Sequence, residues 1–258
     1  MKLIRRTEIE KPEVVYNLHV KDDHNYIVEG AVVHNCHKGQ ATKIQQIMNN
    51  ATSVKYRTGW TGTLSEETIS ELQIKGIFGP VKSIISTKEL MDKGIVAQLS
   101  IVVARIQYPK EIRYDLTLMD YHKQTKTIEQ YKKRSILLLK ILSNFNSTGL
   151  MLYRHISHGE ELFELARQMF PNRNIYLIHG GYFRMNDKKF KNFEEIKSVI
   201  ENEENGIVIG NYGVVSTGIS IKNLHWLMFA APVKSFITTV QGIGRVLRIS
   251  KVKNKAIL

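Results

Sequence analysis

The 258-residue chain contains a single cysteine, Cys36. One thiol excludes an internal disulfide, and without a second cysteine or paired histidine ligands nearby no metal site is expected. No apolar run approaches the roughly 18 residues of a membrane span, and Met1-Lys2-Leu3-Ile4-Arg5-Arg6 lacks the apolar stretch of a signal peptide. The expectation is a soluble, cytoplasmic protein with no membrane partner. Internal repeats and low-complexity segments are absent, and so is any Gly-x-x-x-x-Gly-Lys-Ser/Thr loop, the phosphate cradle of a nucleotide hydrolase.

What is present supports a globular chain of one large or two ordinary domains, because 43% hydrophobic residues can supply a core. The charge is uneven. Residues 1–35 hold five Lys or Arg against six Asp or Glu, whereas residues 36–258 hold 32 against 18. The second segment therefore suits a polyanionic partner, since each neutralised phosphate releases counterions.

The first 35 residues read as a fragment of an all-β unit. Val14 to Val20, Tyr26 to Val28 and Ala31 to Val33 are short β-like runs, separated by Asp22-Asp23 and Glu29-Gly30 turns. Three short strands bury little, so the segment is expected to need a complementary chain. From residue 36 helical and β-rich patterns alternate. Helices are predicted over 42–49, 66–77, 125–144, 159–170, 186–202 and 235–247, and strands over 81–85, 100–106, 149–153, 175–178, 206–209 and 224–229. This alternation predicts an α/β architecture, a parallel sheet with flanking helices. The polar stretch 108–121 reads as a linker between two lobes.

The tripeptide His34-Asn35-Cys36 carries a specific chemistry. The asparagine side-chain nitrogen can attack its own backbone carbonyl, closing a succinimide and cutting the chain after residue 35. The triplet alone would arise in roughly three per cent of chains this long, so the weight falls on its lead-in. Val14-Val15-Tyr16-Asn17-Leu18-His19-Val20, Asp23-His24-Asn25-Tyr26 and Gly30-Ala31-Val32-Val33-His34-Asn35-Cys36 together resemble the C-terminal blocks of inteins. A small hairpin with surface histidines shares the same strands and is the plain alternative. The intein resemblance implies catalytic roles for His24, His34, Asn35 and Cys36. Cys36 takes up the upstream acyl group, Asn35 cyclises, His34 polarises the scissile peptide and His24 assists proton transfer. Asn17 stands where inteins commonly carry an aspartate. It cannot ionise, so Asp22 or Asp23 substitutes or the steps are less tightly coordinated.

A second resemblance covers most of residues 36–258. Val240-Gln241-Gly242-Ile243-Gly244-Arg245-Val246-Leu247-Arg248 is similar to motif VI of superfamily 2 helicases, with Arg245 and Arg248 three apart and Gln241 one turn earlier. Guanidinium groups suit phosphate because they stay charged and bind it in a bidentate manner. An amphipathic helix with solvated arginines is the plain alternative. Gly213 to Ser220 resembles motif V, Thr61-Gly62-Thr63-Leu64 motif III, and Leu150 to Gly159 motif IV. The stretch Ser216 to Arg248 closely resembles phage recombination helicases of the UvsW type. That resemblance implies an ATP site using His37, Gly218, Gln241, Arg245 and Arg248. It implies coupling and nucleic-acid contacts at Thr61, Gly62, Thr63, His155, Ser157, Ser216 and Thr217, with His158 a further candidate. For His155, Ser157 and His158 an ordinary strand-to-helix turn is an equal reading.

The two resemblances meet at one peptide bond. The family's Walker B box reads Asp-Glu-Cys-His, and Cys36-His37 supplies its second half directly after Asn35. The expected organisation is an intein C-terminal fragment at 1–35, the C-terminal part of a first RecA-like lobe at 36–107 and a second RecA-like lobe at 108–258. No nucleophile opening an intein and no Thr-x-x-His block precedes the junction, so the chain is read as the C-terminal piece of a split intein. A contiguous intein read from an internal methionine is the runner-up. The implied partners are an N-terminal helicase fragment carrying the N-intein and the Walker A loop, and DNA or an RNA–DNA hybrid. ATP and Mg2+ would serve only the ligated enzyme, in a bacterial host cytoplasm if the gene is a phage's. Two other classes stay open: a non-enzymatic nucleic-acid-binding lobe, and a remnant, because related helicases continue past Leu258.

Overall fold

A computed structural model describes residues 25–28, 31–34, 46, 49–50, 68–213, 221–249 and 255–258. The chain divides into two compact units, Met1–Lys82 and Ser83–Leu258. In the first, β1 (Asn25–Val28) and β2 (Ala31–His34) pair as an antiparallel hairpin with Asn25 opposite His34 and Val28 opposite Ala31. This agrees with the short β-like runs read at Tyr26 to Val28 and Ala31 to Val33 in the sequence. Helix α1 (Thr68–Phe78) follows. It closes on Gly79, whose φ of 85° suits only glycine and whose N–H donates to Lys75 O at 2.8 Å. The run 14–20 and most of 42–49 lie outside the described residues.

The second unit runs α2 (Thr87–Asp92), β3 (Gln98–Ser100), α3 (Lys110–Thr117), α4 (Tyr121–Gln130), α5 (Lys132–Leu142), β4 (Gly149–Tyr153) and α6 (Ile156–Met169). It continues through β5 (Ile175–His179), β6 (Tyr182–Met185), β7 (Lys188–Phe190), α7 (Phe193–Glu201), β8 (Ile207–Asn211), β9 (Trp226–Phe229), α8 (Phe236–Val246) and β10 (Lys255–Ile257). The eight strands form one sheet in the order β3-β10-β9-β4-β8-β5-β6-β7. The first six are parallel, while β6 and β7 add antiparallel at the edge.

Burial explains the parallel centre. Leu150 and Leu152 of β4 face one cluster with Tyr176, Ile178, Val208 and Leu227, which Ile196 and Ile200 of α7 and Val246 of α8 cover. Met151 and Tyr153 face the other, with Ile175, Leu177, Ile207 and Ile209 against Leu138, Leu139 and Leu142 of α5 and Leu162, Phe163 and Ala166 of α6. Strands covered on both faces read as continuous apolar runs, as these do. Among the described residues no helix is long and apolar enough to cross a membrane.

Five expectations are corrected. The sheet is mixed rather than parallel, because 186–190 is not helical. Asn186 adopts φ 46° in an Asn-Asp turn that makes Lys188–Phe190 a hairpin strand, and the helix waits for the Asn192 cap, whose side chain accepts the Glu195 N–H at 3.0 Å. The single helix over 125–144 is two helices, broken at Tyr131 (ψ 93°), whose ring packs on Tyr108 with centroids 5.6 Å apart. The linker at 108–121 contains α3, begun by Pro109 and half-burying only Ile112 and Leu116 of its apolar side chains. The strand at 81–85 does not form, since Val81, Ile84 and Ile85 are exposed and find no partner strand among the described residues. Of 100–106 only Ser100 is in a strand, β3, which pairs with β10.

The end of the sheet at the start of β4 is tightly stitched. Arg173 donates to Phe145 O, Ser147 O and Asn205 O at 2.9, 3.3 and 2.9 Å, and Trp226 Nε1 donates to Ser147 O at 2.8 Å. A Cβ on Gly149 would lie 2.0 Å from the buried, anchored Trp226 ring. Gly149→Ala should therefore lower the unfolding free energy by about 3 kcal/mol in urea titration, since the overpacking has no flexible neighbour to absorb it.

Candidate functional site

The opposite end of the sheet is open. The connection leaving β4 runs to β5 on one side and that leaving β8 runs to β9 on the other, so the chain reverses its winding between adjacent strands β4 and β8. Open α/β sheets form ligand crevices at such a point, beyond the carboxyl ends of the strands. A cleft of about 390 Å³ lies there, lined by Arg154 after β4, Asn211, Tyr212 and Gly213 at the end of β8, Pro232 to Ser235 after β9, Thr238 of α8 and Tyr121 of α4. Its cations are Arg154 and Lys234. The Lys234 ammonium stands 3.6 Å from the Tyr121 ring centroid, and Tyr212 donates to Ala231 O at 2.5 Å. Burial raises the Tyr212 hydroxyl above the ordinary phenol range, so it remains a donor rather than an anion.

Helix α8 starts at Ser235, whose hydroxyl accepts the Thr238 N–H at 3.2 Å. Gly242 is buried, with Leu227, Leu152 and Phe229 within 3.5 Å of where its Cβ would sit, which lets the helix lie close to the sheet. This docking fixes the half-buried Gln241 and Arg245 on α8 and Arg248 just beyond it. Burial, and then the charge of Arg248, lowers the Arg245 pKa; burial lowers that of Arg248, with Glu201 acting in the opposite sense. Two guanidiniums partly withdrawn from water, one feeling the other, form a surface suited to a polyphosphate.

Beside the cleft lies a buried polar group. Glu129 of α4 is only 1% exposed, and its Oε2 is 2.6 Å from His155 Nδ1 and 3.9 Å from His158 Nδ1. Arg134 of α5 donates to Ala230 O at 2.5 Å. Its guanidinium is lowered chiefly by burial, against the opposing influence of Tyr108, Glu129 and Tyr212. His158 is pushed down to about 4 by burial, then by Arg134 and His155, so it is neutral at neutral pH. The expectation that His158 reaches a phosphate backbone is therefore corrected: it is buried beneath α6, because its position in the first turn points into the core.

His155 and Ser157 are exposed at the start of α6, beside Arg154, and lie with the cleft at one end of the sheet. Of His34 only the backbone is described, at the end of β2. His24, Asn35, Cys36, His37, Thr61, Gly62, Thr63, Ser216, Thr217 and Gly218 lie outside the described residues. Sequence reasoning missed Glu129, Arg134, Arg154, Tyr212 and Lys234. Arg154 and Lys234 carry a legible signal, a cation directly or shortly after an apolar strand. Glu129 and Arg134 carry none, since nothing local marks a helical charge as buried. Among the described residues no group of three or more His, Cys, Asp or Glu could hold a metal ion.

A doubly wound sheet with an arginine-bearing helix docked beside its switch-point cleft defines an α/β lobe of RecA-like helicase type, with a mixed sheet. No family model matches the chain. Over 216 residues it is 31% identical to ATP-dependent DNA helicase uvsW of Enterobacteria phage T4, covering 83% of this chain and 41% of that protein, and is homologous to UvsW-type superfamily 2 helicases there. The chain thus spans about two fifths of that relative's length. The fold recurs, at 13% identity and a TM-score of 0.58, in a fragment assigned as the HsdR subunit of a type I restriction enzyme from Vibrio vulnificus YJ016, covering 88% of this chain and 42% of that one. It recurs again, at 14% identity and the same TM-score, in the ATP-dependent Type ISP restriction-modification enzyme LlaBIII bound to DNA, covering 88% of this chain and 18% of that one.

Proposed function

We propose that this chain is a trans-splicing precursor whose product, after ligation to an N-terminal partner, is an ATP-dependent DNA helicase or branch-migration motor. The observation that carries the reading is the junction: His34-Asn35 immediately precedes Cys36-His37, the second half of a UvsW-type Asp-Glu-Cys-His box. The match to the phage helicase covers 83% of the chain, which leaves room for residues 1–35 outside it. The hairpin register supports the reading as well, since Asn25 pairs with His34 and in sequence His24 precedes the one while Asn35 follows the other.

The chemistry runs through three bond exchanges. The partner's upstream segment, held as a thioester, passes to the Cys36 sulfur and releases the partner's thiol. The Asn35 side-chain nitrogen then attacks the Asn35 carbonyl carbon, forming the succinimide as the bond to the Cys36 nitrogen breaks. His34 polarises that carbonyl and His24 relays the proton to the departing amine. The freed Cys36 amine finally displaces its own sulfur, converting the thioester to an amide. Residues 1–35 leave. What remains carries part of a first RecA-like lobe in 36–107, of which β3 pairs with β10, and the second lobe in 108–258.

In the ligated product Gln241, Arg245 and Arg248 would face the phosphates of ATP, together with His37 and Gly218. Thr61, Gly62 and Thr63 would couple that site to a nucleic-acid track formed by His155, Ser157, Ser216 and Thr217. The guanidinium pair fits a triphosphate. The carboxylates for Mg2+ and the Walker A loop belong to the partner, so this chain alone does not hydrolyse ATP. Mixing it with a matching N-intein fusion should yield, by mass spectrometry, a ligated product and a 35-residue peptide ending in succinimide. No change in mass would reject the splicing reading.

A further inference from the structure

We propose that Glu129 is a positioning residue. By accepting the Nδ1–H of His155 it fixes that imidazole's tautomer, so that the outward Nε2 donates to a nucleic-acid phosphate only when the ring is an imidazolium. This rests on the nucleic-acid reading of the lobe above.

The geometry distinguishes this role from a structural ion pair. Glu129 is 1% exposed, yet its hydrogen bond, 2.6 Å long, goes to a side chain that is 49% exposed. Arg134 is the nearby buried cation, but its Nη1 donates to Ala230 O. Among the described residues the second carboxylate oxygen, Oε1, has no hydrogen-bond partner. A carboxylate kept only to tie helices together would be expected to turn both oxygens to the guanidinium, because a half-satisfied buried charge is costly. Here it orients an exposed residue next in sequence to Arg154, which lines the cleft. His155 is the N-cap of the 14-residue helix α6, caps it with no side-chain bond, and follows Arg154 of the cationic cleft.

The proton requirement follows from the two ring nitrogens. A neutral imidazole that donates through Nδ1 has only a lone pair on Nε2, and phosphate oxygens are acceptors too, so the contact forms after a second proton is taken up. The charged and titratable groups around the pair are Arg134 on α5, His158 on α6, Arg154 after β4 and Tyr212 after β8, with Tyr108 beyond Arg134. His158, at about 4, stays neutral through the physiological range. The tyrosine hydroxyls are raised by burial and stay protonated. None of these neighbours mimics the effect.

The test uses the full chain and a fluorescent single-stranded DNA of about 20 nucleotides, with anisotropy read between about pH 8 and pH 6. Wild type should bind about tenfold more tightly at the lower pH, the size of one charge-assisted contact. His155→Gln and the isosteric Glu129→Gln should both flatten that profile. A wild type that binds equally at both pH values, or a Glu129→Gln profile that superimposes on wild type, overturns the role of Glu129 while leaving nucleic-acid binding intact. A wild type that binds no DNA overturns the nucleic-acid reading together with this inference. A measurement without substitution checks the same point: nitrogen NMR of the histidines at about pH 8 should show the proton of His155 on Nδ1. The Nε2–H tautomer would overturn the assignment even if Glu129→Gln fails to fold.

Discussion

Replacing Arg248 by alanine in the ligated protein should cut nucleic-acid-stimulated ATP hydrolysis by about a thousandfold, within the range an arginine finger contributes. Arg245 and Arg248 are both half-buried, and the charge of Arg248 further disfavours that of Arg245. Such a pair opposes itself in the free lobe and is relieved by a polyanion between its members. Removing Arg248 relieves Arg245 of a like charge while giving up the attraction of Glu201, so the alanine protein should melt close to the parent and splice normally. Arg248→Lys should fall between the two, because an ammonium keeps the charge but lacks the planar fork that grips two oxygens. Near-normal turnover of the alanine protein would reject the assignment.

Asn35→Ala should abolish ligated product altogether. The side-chain nitrogen is the attacking atom, and alanine offers none, so the bond after residue 35 persists. The earlier acyl transfer needs only Cys36, so a branched species carrying the upstream segment on the Cys36 sulfur should accumulate and be discharged by hydroxylamine. Cys36→Ala should give the complementary failure, with residues 1–35 released by cyclisation and nothing joined. Mass spectrometry separates these outcomes, and ligation by the Asn35→Ala protein would remove the basis for the proposed reaction.

The legible parts of the fold are those where burial leaves a local trace. Gly149–Tyr153 forms a strand with the bounds the sequence predicts, because both its faces are covered and every residue is buried. The α8 helix follows from its Ser235 cap and apolar spacing. The β6–β7 hairpin was hidden because Lys188-Lys189 and the following Phe-Lys-Asn-Phe read as the polar and apolar sides of a helix. Only the Asn186-Asp187 turn reverses that reading. In the site, His155 is visible from its position after an apolar strand, but the group that orients it lies 26 residues earlier, on a helix whose outward and inward charges look alike. Pairings of that separation are set by packing and leave no periodic signal.

The β3–β10 ladder joins Gln98–Ser100 to Lys255–Ile257, near opposite ends of the second unit. Loop closure over that length must precede the reward of pairing, so this edge is among the last parts to set. During synthesis it cannot form until residue 257 has left the ribosome, by which time the residues around Cys36 have long been exposed to any complementary chain. If the chain splices in trans as proposed, encounter with the partner would begin on a half-finished lobe.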